Sequence, residues 1–268
     1  MEHKIDRLSK LPEPILEHIL SFIPLNKTLQ LSILSKTWKN VWALFPIPEI
    51  TQDVVWSTLY SNKRAQRKRN DIDYFVRGAL LSRLKQKQSV KKFMLRMTID
   101  ESYCALVNRW IGYAIECNVK ELHLLVYPHG FYHVPDGVMA GKSITELRVW
   151  GCKFKSFHSD INLSSLKKLL LGDVYMDDQI FQTLIAGCPV VELINVQCCF
   201  GLKNIHISGL PKLVAFEVFL NPVLESIEIE ASNLESLLIY LQTPCQINLH
   251  SCENLKKVAL HSAAVTDK

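Results

Sequence analysis

From residue 119 onward the apolar positions follow one rule. Val119/Leu122/Leu124, Ile144/Leu147/Val149, Leu166/Leu169/Leu171, Val191/Ile194/Val196, Leu213/Phe216/Val218, Leu234/Leu237/Ile239 and Leu255/Val258/Leu260 each spell an L-x-x-L-x-L triplet. Successive triplets start 25, 22, 25, 22, 21 and 21 residues apart. Repetition at that period marks one supersecondary unit stacked on copies of itself. The last two positions of each triplet point to the same side of a strand, so each triplet predicts a short strand with one buried face. A second apolar series, Leu202/Ile205/Ile207, Leu224/Ile227/Ile229 and Ile247/Leu249, falls halfway round the later units and predicts a second strand per coil there. Earlier units leave room for an outer helix, as over 177–186 with Gly187 as its stop.

Upstream the period changes to that of helices. Val107, Trp110, Ile111, Ala114 and Ile115 predict a helix over 102–117, and Phe75, Val76, Ala79 and Leu80 predict another over 71–84, with a strand at 91–97 between them. Near the N-terminus, Pro12 and Pro14 suit a first helical turn, Ile15, Leu16, Ile19, Leu20 and Ile23 form an apolar stripe, and Pro24 stops the helix. Two further short helices are predicted over 28–34 and 36–42, the second carrying Trp38, Val41 and Trp42, and Pro46 and Pro48 close the unit. So small a unit has more apolar surface than it can bury alone. It either docks on the rest of its own chain or presents a face to a partner.

The residues of this first unit carry a resemblance. Leu11-Pro12, Ile15-Leu16, Ile19-Leu20-Ser21-Phe22, Leu34-Ser35-Lys36 and Trp38-Lys39-Asn40-Val41-Trp42 stand in the order found in an F-box. Pro14 departs from it, since an acidic or polar residue is usual there, and Ile33-Leu34 replaces Val-Leu. Downstream, Thr145-Glu-Leu-Arg-Val-Trp-Gly-Cys-Lys-Phe, Leu166-Lys-Lys-Leu and Gly187-Cys-Pro-Val-Val-Glu look like the repeats of the same group. The chain is thus similar, over nearly its whole length, to the plant F-box/leucine-rich-repeat proteins of the FBD-type group. It departs from that group in ending at Lys268 without an FBD domain. The implied fold class is α/β: a three-helix F-box over 1–48, a connector over 49–70, and over 71–268 a leucine-rich-repeat solenoid that becomes β-rich toward its C-terminus.

Composition narrows the function. Apolar residues make up 48% and charged residues 21%, as in an ordinary folded protein. No apolar run reaches the ~18–20 residues of a membrane helix, and MEHKIDRL lacks the apolar core of a signal peptide. The expected location is nucleus or cytoplasm, where the eight scattered cysteines are expected as reduced core residues rather than metal ligands. The net charge of +5 is uneven: twelve Lys and Arg lie between Lys63 and Arg96 against Asp71 and Asp73. The run 63–69 fits a nuclear-import signal or a solvated linker. Aromatic residues do not interleave it, so nucleic-acid binding is not expected.

Motifs for phosphate binding, zinc hydrolysis or a serine nucleophile are missing from the sequence, and the chain is expected not to be an enzyme and to need no cofactor. His129 and His133 are expected in a surface loop, and Asp177-Asp178 at a helix start. The resemblance implies a substrate-recognition subunit of a Skp-cullin-F-box ubiquitin ligase. Leu11, Pro12, Ile15, Ile19, Leu34 and Trp38 are then expected to serve the contact with a Skp-family adaptor, and through it a cullin, some of them by holding the helices together. The repeat register places Leu125, Trp150, Leu170, Phe219, Leu238 and Tyr240 outward on the principal strands, where they are expected to bind an unknown target protein. His123 falls outward in the same register. Two alternatives are a repeat scaffold without a ligase role and a co-receptor that holds a small molecule on its repeat surface.

Overall fold

The structure is a computed structural model that describes residues 10–23, 37–38, 41, 49–51, 73, 76–77, 80–81, 84–85, 89–99, 101–127, 132–156 and 160–262. Leu34 and the basic run 63–69 lie outside the described residues, as do His129 and residues 263–268.

Fourteen strands and three α-helices are delimited among the described residues. Helix α1 spans Glu13–Ser21 and β1 spans Glu49–Thr51. β2 (Lys92–Thr98), α2 (Glu101–Glu116), β3 (Glu121–Tyr127) and the two-residue β4 (Tyr132–His133) follow. Next come a 3-10 turn at Asp136–Ala140, β5 (Glu146–Trp150), β6 (Cys152–Lys153), β7 (Lys168–Gly172) and α3 (Asp178–Ala186). β8 (Leu193–Gln197), β9 (Asn204–Ile207), β10 (Ala215–Phe219), β11 (Ser226–Glu230), β12 (Ser236–Leu241), β13 (Gln246–His250) and β14 (Lys257–Ser262) complete the order.

The triplet strands stack into one nine-stranded sheet, β1-β2-β3-β5-β7-β8-β10-β12-β14. Every pairing is parallel, because each strand is reached by a full turn of the coil in the same sense. The half-coil series forms the expected second sheet, β9, β11 and β13, on the other side of the later coils. Leu122, Leu124, Leu147, Val149, Leu169, Leu171, Ile194, Val196, Phe216, Val218 and Leu237 are all 0% exposed, so the inward reading of the triplets holds. Burial of each such side chain contributes about 1.5–3 kcal/mol. The helices occupy the outer side of the earlier coils, α2 burying Val107, Trp110, Ile111 and Ala114. Asp177 caps α3 by accepting the Ile180 N–H at 2.8 Å.

Backbone groups at the coil corners are satisfied in steps from coil to coil. After the principal strand, Gly151, Asp173, Cys198 and Leu220 all take positive φ, between 49° and 72°. Their N–H groups donate to Gly172, Gln197, Phe219 and Tyr240 carbonyls of the next coil at 2.7–3.0 Å.

The connector differs from expectation. Glu49–Thr51 is the edge strand of the main sheet, paired in register with Met94–Arg96. The N-terminal unit has a core of its own, in which Leu16, Leu20, Trp38 and Val41 are buried with Leu11 and Ile19 packed on them, and this cluster is separate from the repeat core.

Candidate functional site

Three rows of side chains run across the outward face of the principal sheet, fixed by the strand register. The row nearest the strand ends reads Arg96, Leu125, Trp150, Gly172, Gln197, Phe219, Tyr240, His261. The middle row reads Met94, His123, Arg148, Leu170, Asn195, Glu217, Leu238, Ala259. All six residues expected to meet a target are therefore outward, Leu125, Trp150, Phe219 and Tyr240 in one row and Leu170 and Leu238 in the next. None of the six is buried in the core: Tyr240 is 40% exposed and the other five are half-buried.

The aromatics are not loosely displayed. The Trp150 indole lies flat over Gly172, where an added Cβ would come within 2.2 Å of the ring. Its Nε1–H donates to the Asp173 carboxylate. Tyr240 stacks on His261 with ring centres 4.6 Å apart and planes 12° apart. Rings fixed in this way lose little conformational freedom when a partner covers them. The sheet thus supplies an intrachain reason for an outward Trp150, which the triplet pattern does not contain.

Charge divides the face. The third row, nearest the strand starts, opens with the ionic Lys92, Glu121, Glu146 and Lys168, runs through the uncharged Leu193, Ala215 and Ser236, and ends at Lys257. Glu146 is the hub. It accepts from His123 Nε2 at 2.9 Å and lies 3.7 Å from Lys168 Nζ and 3.9 Å from an Arg148 nitrogen. His123 is outward in register yet only 4% exposed, because these neighbours close over it. Burial, with Lys92 on β2 and Arg148 on β5 adding like charge, lowers its pKa against the opposing pull of Glu146. A His whose folded pKa is depressed stabilises the fold above its unfolded value of about 6.5, and that contribution is lost as pH falls toward the folded value. We expect the urea midpoint to fall between pH 7.5 and pH 5.5, and to fall less in His123→Gln. His133, shifted the same way, supplies part of what remains.

The expected adaptor residues fall into two sets. Trp38 is 3% exposed and is a core residue of its unit, so it supports the helices. Leu11 and Ile19 pack on the same cluster, half-buried. Pro12 and Ile15 are exposed, Ile15 by 47%. Phe22, part of the motif but not among the residues expected at the adaptor, is 75% exposed at the end of α1 and packs edge-on to His18 at 4.8 Å. Ile15, His18 and Phe22 lie at i, i+3 and i+7 and so share one side of the helix, a spacing the sequence already shows. Burial pushes the Cys188 and Cys199 thiols up to about 12, far from a reactive thiolate. No described helix is long and apolar enough to cross a membrane.

A helical unit with its own small core and an outward apolar side, joined to a coil whose strands display a regular face, defines the class: an F-box protein with a leucine-rich-repeat interaction domain. Comparison with known proteins agrees. The F-box domain family matches residues 8–49, and the family described as At1g61320/AtMIF1, LRR domain, matches residues 83–267. The chain belongs to that family. It is 26% identical to the F-box/LRR-repeat protein At3g03360 of Arabidopsis thaliana, over 90% of this chain and 49% of that protein. It is 27% identical to the putative F-box/LRR-repeat protein At3g18150 of the same organism, over 97% of this chain and 53% of that protein. With the FBD-associated F-box protein At3g52670, also from Arabidopsis thaliana, it shares 28% identity over 80% of this chain and 49% of that one. The chain spans about half the length of the curated relatives it matches. No solved structure matches it.

Proposed function

We propose that this protein is a substrate-recognition subunit of a Skp-cullin-F-box ubiquitin ligase and is not itself an enzyme. In this reading the outward side of α1, Ile15 with Phe22, meets a Skp-family adaptor. The principal face from Trp150 to Tyr240 meets the target. Ubiquitin transfer belongs to other subunits, and this chain contributes proximity by holding the target near them. The observation that carries the proposal is the joining of the two parts: an F-box match over 8–49 and a repeat family match over 83–267 in one chain. The face supports it through anchors that are aromatic and already fixed in place, the residue type that dominates contact energies at about 2 kcal/mol or more each.

The test is affinity capture from cells with the full chain, the chain without its first 48 residues, and the triple variant Trp150→Ala/Phe219→Ala/Tyr240→Ala. The adaptor is expected with the full chain and the triple variant, and absent without residues 1–48. Proteins that accumulate when the proteasome is blocked are expected with the full chain and lost from the triple variant. Adaptor recovery that is indifferent to the first 48 residues would sink the ligase assignment. Unchanged target recovery by the triple variant would sink the assignment of the face.

A further inference from the structure

A groove of about 270 Å³ lies beyond the corner of the principal strands, on the flank between β6 and the start of α3. Its lining combines side chains from three successive coils. Lys153, Tyr175 and Phe200 stand in register through single parallel bridges, and His133 precedes them across the β4–β6 pair. The Tyr175 and Phe200 rings stack 4.7 Å apart with 19° between their planes. Tyr175 is 37% exposed, so part of its ring is open to the groove. Phe154, Met176 and Ile180 are buried and form an apolar floor. Gly201 borders the groove at φ +93°, and a Cβ there would meet the Met176 carbonyl at 2.6 Å, so the two coils approach too closely for a side chain.

The charges around the groove are not equivalent. At one end the carboxylates already have partners: Asp177 caps α3, and Asp178 accepts from the Lys203 and Asn204 N–H groups and from Asn204 Nδ2. At the other end Lys153 and Lys155 are exposed and make no ion pair among the described residues. Their field reaches His133, whose pKa falls through partial burial and then through these two lysines. Asp177 and Asp178 keep their charge but are held at the N-terminus of α3, so it is the opposite end, lined by Lys153 with Lys155 two residues beyond, that favours a negative ligand. At about 270 Å³ the groove has room for a single large side chain.

We infer that this groove binds a short acidic peptide segment of a partner protein. One large apolar side chain of the peptide seats against Tyr175 and Phe200, and its neighbouring carboxylates face Lys153 and Lys155. The site is distinct from the principal face and does not depend on the ligase reading. Two grips of different kind, an apolar anchor and a pair of ammonium groups, give it a sequence preference that neither supplies alone.

Fluorescence anisotropy with the full chain tests this. The probes are three fluorescein-labelled Gly/Ser nonapeptides carrying a central Phe-Asp-Asp, Phe-Lys-Lys or Ala-Asp-Asp. The Phe-Asp-Asp peptide is expected to bind at least tenfold tighter than either of the others, and to weaken as salt rises. Lys153→Glu/Lys155→Glu, two exposed positions that the fold tolerates, is expected to lose at least tenfold, as is Tyr175→Ala. The Trp150/Phe219/Tyr240 triple variant is expected to bind it as the wild type does, so this site and the principal face fail separately. Equal binding of the three peptides, or an unchanged Lys153/Lys155 variant, would overturn the inference. So would a labelled oligothymidylate that binds more tightly than the Phe-Asp-Asp peptide, because the groove would then read polyanions rather than a peptide.

Discussion

Under the proposed function, replacing Ile15 and Phe22 together by Asp is expected to lower the affinity for a Skp-family adaptor at least about a hundredfold and to leave the unfolding of the repeats where it was. The first half follows from position. Both side chains stand on the outward side of α1, 47% and 75% exposed, so Asp at either site costs the isolated protein little. In a dry contact the same carboxylates are stranded, and an anchor of that kind is worth about 2 kcal/mol or more. The second half follows from the separation of the two cores, since Leu16, Leu20, Trp38 and Val41 do not belong to the repeat cluster. Surface plasmon resonance on immobilised adaptor, beside thermal denaturation, reads both. Trp38→Ala is the instructive contrast. It should lower the stability of the helical unit itself, by roughly 3–5 kcal/mol for a buried Trp, and reduce adaptor binding only through that loss. Full adaptor affinity in the double Asp variant would remove α1 from the contact.

Asn221→Ala is expected to destabilise the repeat domain by about 3 kcal/mol, the largest effect of any polar substitution in it. Asn221 is 0% exposed and fully employed. Its Oδ1 accepts the Cys199 N–H at 2.7 Å, and its Nδ2 donates to the Val196 and Phe219 carbonyls at 3.2 Å. Phe219 O retains a second donor, the Cys198 N–H at 2.8 Å, so alanine hurts it less. The Cys199 N–H has no such reserve and is left buried without an acceptor, beside a cavity. Asn221→Asp should be at least as damaging, because it replaces the donor with charge aimed at two carbonyl oxygens. A urea midpoint within experimental error of wild type in both variants would show that these bonds are readily replaced.

The repeat register was legible because it depends on few variables. Inward positions such as Leu169/Leu171 and Phe216/Val218 must recur at alternate residues to fill a coil, and no other arrangement buries all of them. The second sheet was legible for the same reason, from Ile205/Ile207 and Ile227/Ile229. What escaped the pattern depends on neighbours one coil away. Trp150 is held by Gly172 and Asp173, which lie more than twenty residues downstream and look unrelated until the register superposes them. Tyr175 and Phe200 meet through single bridges outside any named strand, so no periodic run announces them. Glu49–Thr51 has three residues and no apolar alternation of its own, and the edge it occupies is chosen by the sheet that receives it. At the other end the pattern promised more burial than the fold delivers. Val258 and Leu260 hold inward positions but are 51% and 56% exposed, since no described strand follows β14 in the sheet.

The change of outer layer along the chain sets how the surface bends. Strands stack at about 4.8 Å, whereas packed helices need 8–10 Å. Coils that carry α2 or α3 on the outside are therefore wedges, wider behind than in front, and a stack of wedges curves toward its narrow side. Coils with β9, β11 and β13 behind them are slabs of equal thickness, and slabs stack straight. The principal face is accordingly expected to curve where α2 and α3 stand behind it and to level out at Phe219 and Tyr240. A rounded partner meets the curved end and a planar one the level end, so a single protein that touched both ends would have to change from convex to flat along its own contact strip.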